Sequence, residues 1–170
     1  MEKLLGAYKF HRGDLLSYWV RPTTADIGIR AFGKDSNDLL REITLGMQSI
    51  LIEAGQDTNS LIRKTATWRV SHDGDPHILI IKWLDEVLYR NEVNDEFLID
   101  CLPIIRDGTI ESHVSYVDKN QLKIELEIKA VTTHDFDFKK VSTGEIINSD
   151  YVDIPSFEGP GWFGDVVFDI

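Results

Sequence analysis

The chain has a single cysteine among its 170 residues. Cys101 has no partner for an internal disulfide and cannot build a thiolate zinc cluster, which points to a reducing setting. Long hydrophobic runs are also missing: nothing approaches the roughly 18–20 residues needed to span a membrane. The start, Met1-Glu2-Lys3-Leu4-Leu5-Gly6, has neither the charge nor the apolar length of a signal peptide. A soluble, cytoplasmic protein with no membrane association is therefore expected. Basic residues are scarce, 18 against 29 acidic, and the net charge of −11 repels phosphate backbones. Strong direct nucleic-acid binding is not expected, although an acidic surface suits docking onto a basic enzyme. A glycine-rich phosphate loop and a serine-nucleophile elbow are both absent, since Gly159-Pro160-Gly161-Trp162 has no lysine and no helix after it.

What remains is the composition of one domain over residues 1–170, 42% hydrophobic and large enough to bury a core. Residues 1–16 show no periodicity and read as a loosely packed arm. Ser17 to Arg21 reads as a short strand ended by Pro22. From Ala25 the pattern alternates, with Ala25, Ile27, Ile29 and Ala31 on one face and Asp26, Gly28, Arg30 and Phe32 on the other. Asp35 or Ser36 caps a helix whose stripe is Leu39, Leu40, Ile43, Met47, Ile50, Leu51 and Ala54, with Gly55 as its stop.

Leu61 to Ser71 reads as a strand. A second helix starts at Asp75-Pro76 and is expected to end near Arg90. Phe97–Ile105, Thr109–Val117 and Leu122–Val131 read as successive strands, the last with the strictest alternation. Residues 136–161 read as turns that lead into a closing strand, Trp162–Ile170. Two amphipathic helices and about seven strands predict an α+β two-layer sandwich, a mainly antiparallel sheet with the helices laid on it.

Chemistry is expected where carboxylates gather. Aspartate is depleted in strands, so Asp26 in mid-alternation calls for a reason. Asp169 stands beside the last residue, Ile170, whose carboxylate would add a second anion. Were the first and last strands neighbours, Asp26, Asp169 and the Ile170 carboxylate would offer hard oxygen donors suited to calcium, magnesium or manganese and not to zinc. His72-Asp73-Gly74-Asp75-Pro76-His77 is rich in ligand-type residues but lacks the register of a calcium loop, and it reads as a solvated turn. Cys101 lies among Ile99, Leu102 and Ile104, where a core thiol is expected and not a nucleophile paired with His113. Lys129 and His134 flank the end of the charged-face strand, within reach of such a cluster or of a partner protein.

Several of these segments together resemble the archease family: Thr24-Ala25-Asp26-Ile27-Gly28-Ile29-Arg30-Ala31-Phe32-Gly33, Leu45-Gly46-Met47, Trp83-Leu84-Asp85-Glu86-Val87-Leu88-Tyr89, Glu127-Ile128-Lys129-Ala130-Val131-Thr132 and Val166-Val167-Phe168-Asp169-Ile170. They occur in the family's order. The resemblance implies a non-catalytic protein that activates an RtcB-type RNA ligase in tRNA splicing or RNA repair, promoting its guanylylation and repeated turnover. It implies metal ligands at Asp26, Asp169 and Ile170, with calcium first among the ions and magnesium or manganese as alternatives. It also implies a functional lysine at Lys129. Thr23 stands where the family usually has histidine, and Thr132-Thr133-His134 replaces its Thr-Tyr-His. Two other readings use the same residues: a metal-dependent hydrolase that activates water on the carboxylates, and a chaperone-like interaction domain in which they are merely solvated.

Overall fold

A strand that buries one face must alternate apolar with polar residues, and the stretch after Asp26 does so in three dimensions. A computed structural model of the chain describes residues 17–24 and 26–170; the expected arm at 1–16 and Ala25 lie outside the described residues. β1 (Tyr18–Pro22) and β2 (Ile27–Gly33) form an antiparallel pair, and β2 pairs on its other edge with β10 (Gly161–Asp169). The far edge of β10 is shared. β7 (Asp137–Val141) runs along its first half, and the short β6 (Ala130–Val131) pairs with Phe168 and Asp169. The inner face of this sheet presents Ile29, Ala31, Val166 and Phe168, all fully buried.

α1 (Ser36–Leu51) lies on that inner face. Asp35 is its N-cap, accepting from the Asp38 N–H at 2.8 Å, and the expected stripe from Leu39 to Leu51 is buried. At Gly46 a Cβ would stand 2.9 Å from Ile29 Cγ2, so only glycine lets helix and sheet approach this closely. The helix stops earlier than expected, at Leu51. Its final carbonyls are satisfied by a distant segment and not by a glycine cap: Leu51 accepts from the N–H groups of Glu125 and Leu126, and Ile52 turns extended to bridge Ile124. Gly55, at φ +84, belongs to the turn beyond.

This same crossing corrects the strand expected at Leu122–Val131, of which only Ala130 and Val131 form a ladder. Residues 122–129 lie extended over the end of α1. Their alternation is real, because Ile128 is buried while Glu127 and Lys129 are exposed, yet it reflects contact with the core and not membership of a sheet.

The other layer is an antiparallel sheet of β3 (Lys64–Ser71), β5 (Thr109–Asp118) and β4 (Glu96–Arg106), with β5 in the middle. α2 (Pro76–Val93) packs on it, with Asp75 as N-cap and Pro76 in the first turn. It runs past the expected end near Arg90. Asn91 is buried and held by Gln48 of α1, which favours another turn. A second cross-link joins the helices where Trp83 Nε1 donates to Thr44 Oγ1 at 2.9 Å. Cys101 is buried, and burial pushes its thiol pKa up to about 12; His113 lies one strand away, in register with Leu102 and not with Cys101. It is a core thiol.

Residues 136–161 carry more than turns. Besides β7 they hold the small antiparallel pair β8 (Ile146–Ile147) and β9 (Phe157–Glu158). Phe157 stacks on Phe32 with ring centroids 4.5 Å apart, and with Trp19, Val141 and Phe163 it closes a second, smaller core on the outer face of the first sheet. The architecture is α+β with antiparallel pairing throughout. Its strands are divided between two main sheets and not gathered in one.

Candidate functional site

The outer face of the β2–β10 ladder carries the residues that the core rejects. Its register sets Phe163 opposite Phe32, Asp165 opposite Arg30, and Val167 opposite Gly28. The ladder ends with Phe168 opposite Ile27, so Asp26 and Asp169 each adjoin its last rung. Asp26 is half-buried, and its backbone N–H donates to Thr23 Oγ1 at 3.0 Å, so Thr23 anchors the turn into β2.

On the far side of β10, the Lys129 N–H donates to the Asp169 carbonyl at 2.8 Å and its Nζ donates to an Ile170 oxygen at 2.9 Å. The structure thus brings Asp26, Asp169, Ile170 and Lys129 to one end of the sheet. His134 is not among them: it is exposed, with Nε2 3.3 Å from Asp135. The His72–His77 stretch is a turn in which Asp75 caps α2 and the His72 N–H donates to the Gly108 carbonyl. Among the described residues, no three His, Cys, Asp or Glu side chains converge on one point.

Four residues along the ladder from the carboxylates lies a buried charge cluster. Arg30 donates through Nε and Nη2 to the two oxygens of Asp165 at 3.1 and 2.7 Å, a bidentate pair, and its guanidinium lies over the rings of Phe163 and Tyr151. The bond to Asp165 raises the Arg30 pKa. Arg21 crosses from β1 over Gly28, where an added Cβ would meet Arg21 Nε at 3.2 Å and the Val166 carbonyl at 3.1 Å. Only 8% of its side chain is exposed. Nε is 3.6 Å from Asp165, beyond a hydrogen bond, and neither Nε nor Nη2 has a partner.

Thr132, whose N–H donates to the Val167 carbonyl, buries an equally unpartnered Oγ1. Sequence reasoning missed both residues. The available signal was an arginine in a short strand preceding one that already carries Arg30 on its polar face.

Asp85 of α2 accepts from the Val131 N–H and so ties the helix to β6; burial raises its carboxyl above the usual range. It borders an open hollow of about 420 Å³ lined by Val70, Ser71, Lys82, Asp85, Glu86 and Tyr89. The aspartate's hydrogen-bonding role is accounted for by Val131.

Comparison with known proteins identifies the family and the fold. Residues 18–170 match the Archease protein family (MTH1598/TM1083). Protein archease of Methanosarcina barkeri is 30% identical over 131 residues, covering 71% of this chain and 85% of that protein. Protein archease of Methanosarcina acetivorans is 27% identical over 129 residues with the same coverage. The solution structure of Methanobacterium thermoautotrophicum protein 1598 superposes with a TM-score of 0.55 at 20% identity, over 92% of this chain and all of that one, which bears on the fold alone. No helix among the described residues is long and apolar enough to cross a membrane. With the family matched along nearly its whole length, the chain belongs to the archease family.

Proposed function

We propose that the protein is a metal-binding accessory factor that activates an RtcB-type RNA ligase, and that the sheet end formed by Asp26, Asp169 and Ile170 is its working site. The single observation that supports this reading is the β2–β10 register, whose last rung, Phe168 opposite Ile27, is followed on one strand by Asp169 and Ile170 and preceded on the other by Asp26. The donor set fits a hard divalent cation. Two aspartates and the Ile170 carboxylate supply three negative charges of oxygen type, against which Lys129 sets one positive charge on Ile170, leaving an excess that a divalent ion neutralises. Calcium, magnesium and manganese all satisfy that chemistry. When bound, the ion would supply a positive charge that can be presented to, or exchanged with, the ligase's nucleotide site.

Lys129 then has two tasks. Its Nζ orients the last residue, and its aliphatic stem holds an exposed cationic head where a partner would dock. The acidity of the whole chain favours approach to a cationic cleft and argues against a grip on RNA itself.

The test is guanylylation of the matching ligase at limiting manganese. Asp26→Asn, Asp169→Asn and a one-residue extension after Ile170, which turns its carboxylate into an amide, should each abolish stimulation while leaving the melting temperature close to the parent's. Equal stimulation by all three proteins would sink the assignment.

A further inference from the structure

The sheet of β3, β5 and β4 has two edges, and they are built differently. The His72 N–H donates to the Gly108 carbonyl at 2.8 Å, a pair that continues the register in which Ser71 faces Thr109. Residues bonded to one neighbour alternate along an antiparallel ladder with residues that face away from it. Val70, Trp68 and Ala66 therefore bond to β5, whereas Thr65, Thr67, Arg69 and Ser71 turn their N–H and C=O groups outward over about 20 Å. On β4 the same phase turns out Cys101, Pro103 and Ile105. That edge is closed. The Ile105 N–H donates to Asn37 Oδ1 at 3.0 Å, the Cys101 N–H donates to Asp100 Oδ1 at 2.9 Å, and Pro103 has no N–H to offer. Beyond a bulge between Leu98 and Asp100, the Leu98 carbonyl accepts from Gln48 Nε2 at 3.0 Å.

The β3 edge has none of these closures. It contains no proline and no bulge, its outward residues are all exposed, and among the described residues nothing bonds to their outward backbone groups. We infer that β3 is a docking edge, at which an extended acidic segment of a partner protein adds as a further strand. β3 belongs to the other sheet from Asp26 and Asp169, so the inference does not rest on the ligase reading.

Charge selects the occupant. The chain carries a net charge of −11, yet Arg63, Lys64 and Arg69 lie on or beside this strand, and Lys82 lines the hollow between its end and α2. Arg69 has Glu111 at 4.0 Å, with both side chains more than half exposed, and so remains open to a second anion. Of the two carboxylates bordering the hollow, Glu86 is already paired with Arg90 at 2.7 Å. A second copy of the chain would bring the same cations to the seam, which is how charged edges oppose self-pairing. The hollow sets the alternation. Side chains of an added strand on the α2 side fall beside Val70 and the 54% exposed Tyr89, which suit apolar groups; those on the other face stand beside Thr67 and Arg69, which suit carboxylates.

The probe is a capped peptide of about eight residues that alternates valine and glutamate, titrated into the isotopically labelled full chain and followed by amide NMR and hydrogen exchange. Exchange should slow at Thr65, Thr67, Arg69 and Ser71 and stay unchanged at Ala66, Trp68 and Val70, whose N–H groups β5 already holds. Thr67→Pro removes an outward donor while sparing the ladder to β5, and should weaken binding about tenfold or more with a melting temperature near the parent's. Arg69→Glu, and a peptide with lysine in place of glutamate, should each weaken binding by a similar factor. Methylating the peptide's backbone nitrogens along the edge that meets β3 should abolish it.

No binding by the parent, protection without the two-residue alternation, or equal affinity in the parent and Thr67→Pro would overturn the docking edge. An equally tight lysine peptide would overturn the acidic occupant. In sedimentation velocity the parent should run as a monomer; a dimer that Thr67→Pro dissociates would give the edge to a second copy and overturn the partner proposal. Should Thr67→Pro fail to fold, the methylated peptide and Arg69→Glu decide the same points.

Discussion

Asp165→Asn is the sharpest test of how the outer face is held together. Asp165 is 6% exposed, receives two hydrogen bonds from Arg30 and has Arg21 at 3.6 Å, so its single negative charge serves two buried guanidiniums. Asparagine keeps the shape and one acceptor but removes the charge. Breaking a buried pair from one side costs about 3–5 kcal/mol, because the surviving ion stays desolvated and unneutralised. Here two ions survive, while the remaining acceptor offsets part of the loss, so about 3 kcal/mol is expected. For a chain of this length that corresponds to a fall of about 6–12 °C in melting temperature.

Urea denaturation followed by tryptophan fluorescence measures it, provided the transition is two-state. The loss should change little between low and moderate salt, since buried pairs are weakly screened. Arg21→Met, whose Nε and Nη2 donate to nothing, should cost less than about 1 kcal/mol, and the replacement of Arg30 and Asp165 together by Met and Leu should recover much of the loss. If Asp165→Asn costs under about 1 kcal/mol, the carboxylate is not what makes two buried arginines tolerable, and the account of this face fails.

Two further perturbations probe the other layer. Gln48→Leu deprives the Leu98 carbonyl and both ends of the Asn91 amide of their partners inside the core, which should cost about 1–3 kcal/mol. The Gln48→Leu, Asn91→Leu double variant should be no worse, and a purely additive loss in urea titrations would refute the pairing. For Asp85, burial raises the folded-state pKa above the unfolded one, so the folded protein binds more protons in that interval. Its contribution to stability therefore grows as pH falls through the range just above the ordinary carboxylate value and is lost as pH rises. Asp85→Asn should melt at or above the wild type at neutral pH and lose that slope; thermal melts showing the variant weaker at neutral pH than at acid pH, relative to wild type, would contradict the sign.

The features legible in sequence were those decided within a few residues. Asp35 and Asp75 cap their helices because a cap needs only the next turn, and the β2 alternation survives because one face of that strand meets α1. Elements decided by a distant partner were not legible. Nothing near Leu51 announces that α1 ends there, because its carbonyls are taken by Glu125 and Leu126. Residues 122–129 alternate as a strand does, yet an extended chain pressed on a core obeys the same period of two. Arg21 looked like a strand-end charge because its burial follows from lying over Gly28, and the Arg30–Asp165 pair spans 135 residues.

The carboxylates fall between these cases. The unusual positions of Asp26 and Asp169 were visible, but bringing both to one end of a sheet required β2 and β10 to be neighbours, which no local pattern dictates. The fold supplies that adjacency by making the last strand central: β10 is gripped by β2 on one edge and by β7 and β6 on the other. A strand held on both edges lies near the top of a protein's range of local stability. The last rung of β10 is therefore a fixed edge beside half-buried Asp26 and exposed Asp169, and Ile170 beyond it packs partly on the core with its oxygen held by Lys129.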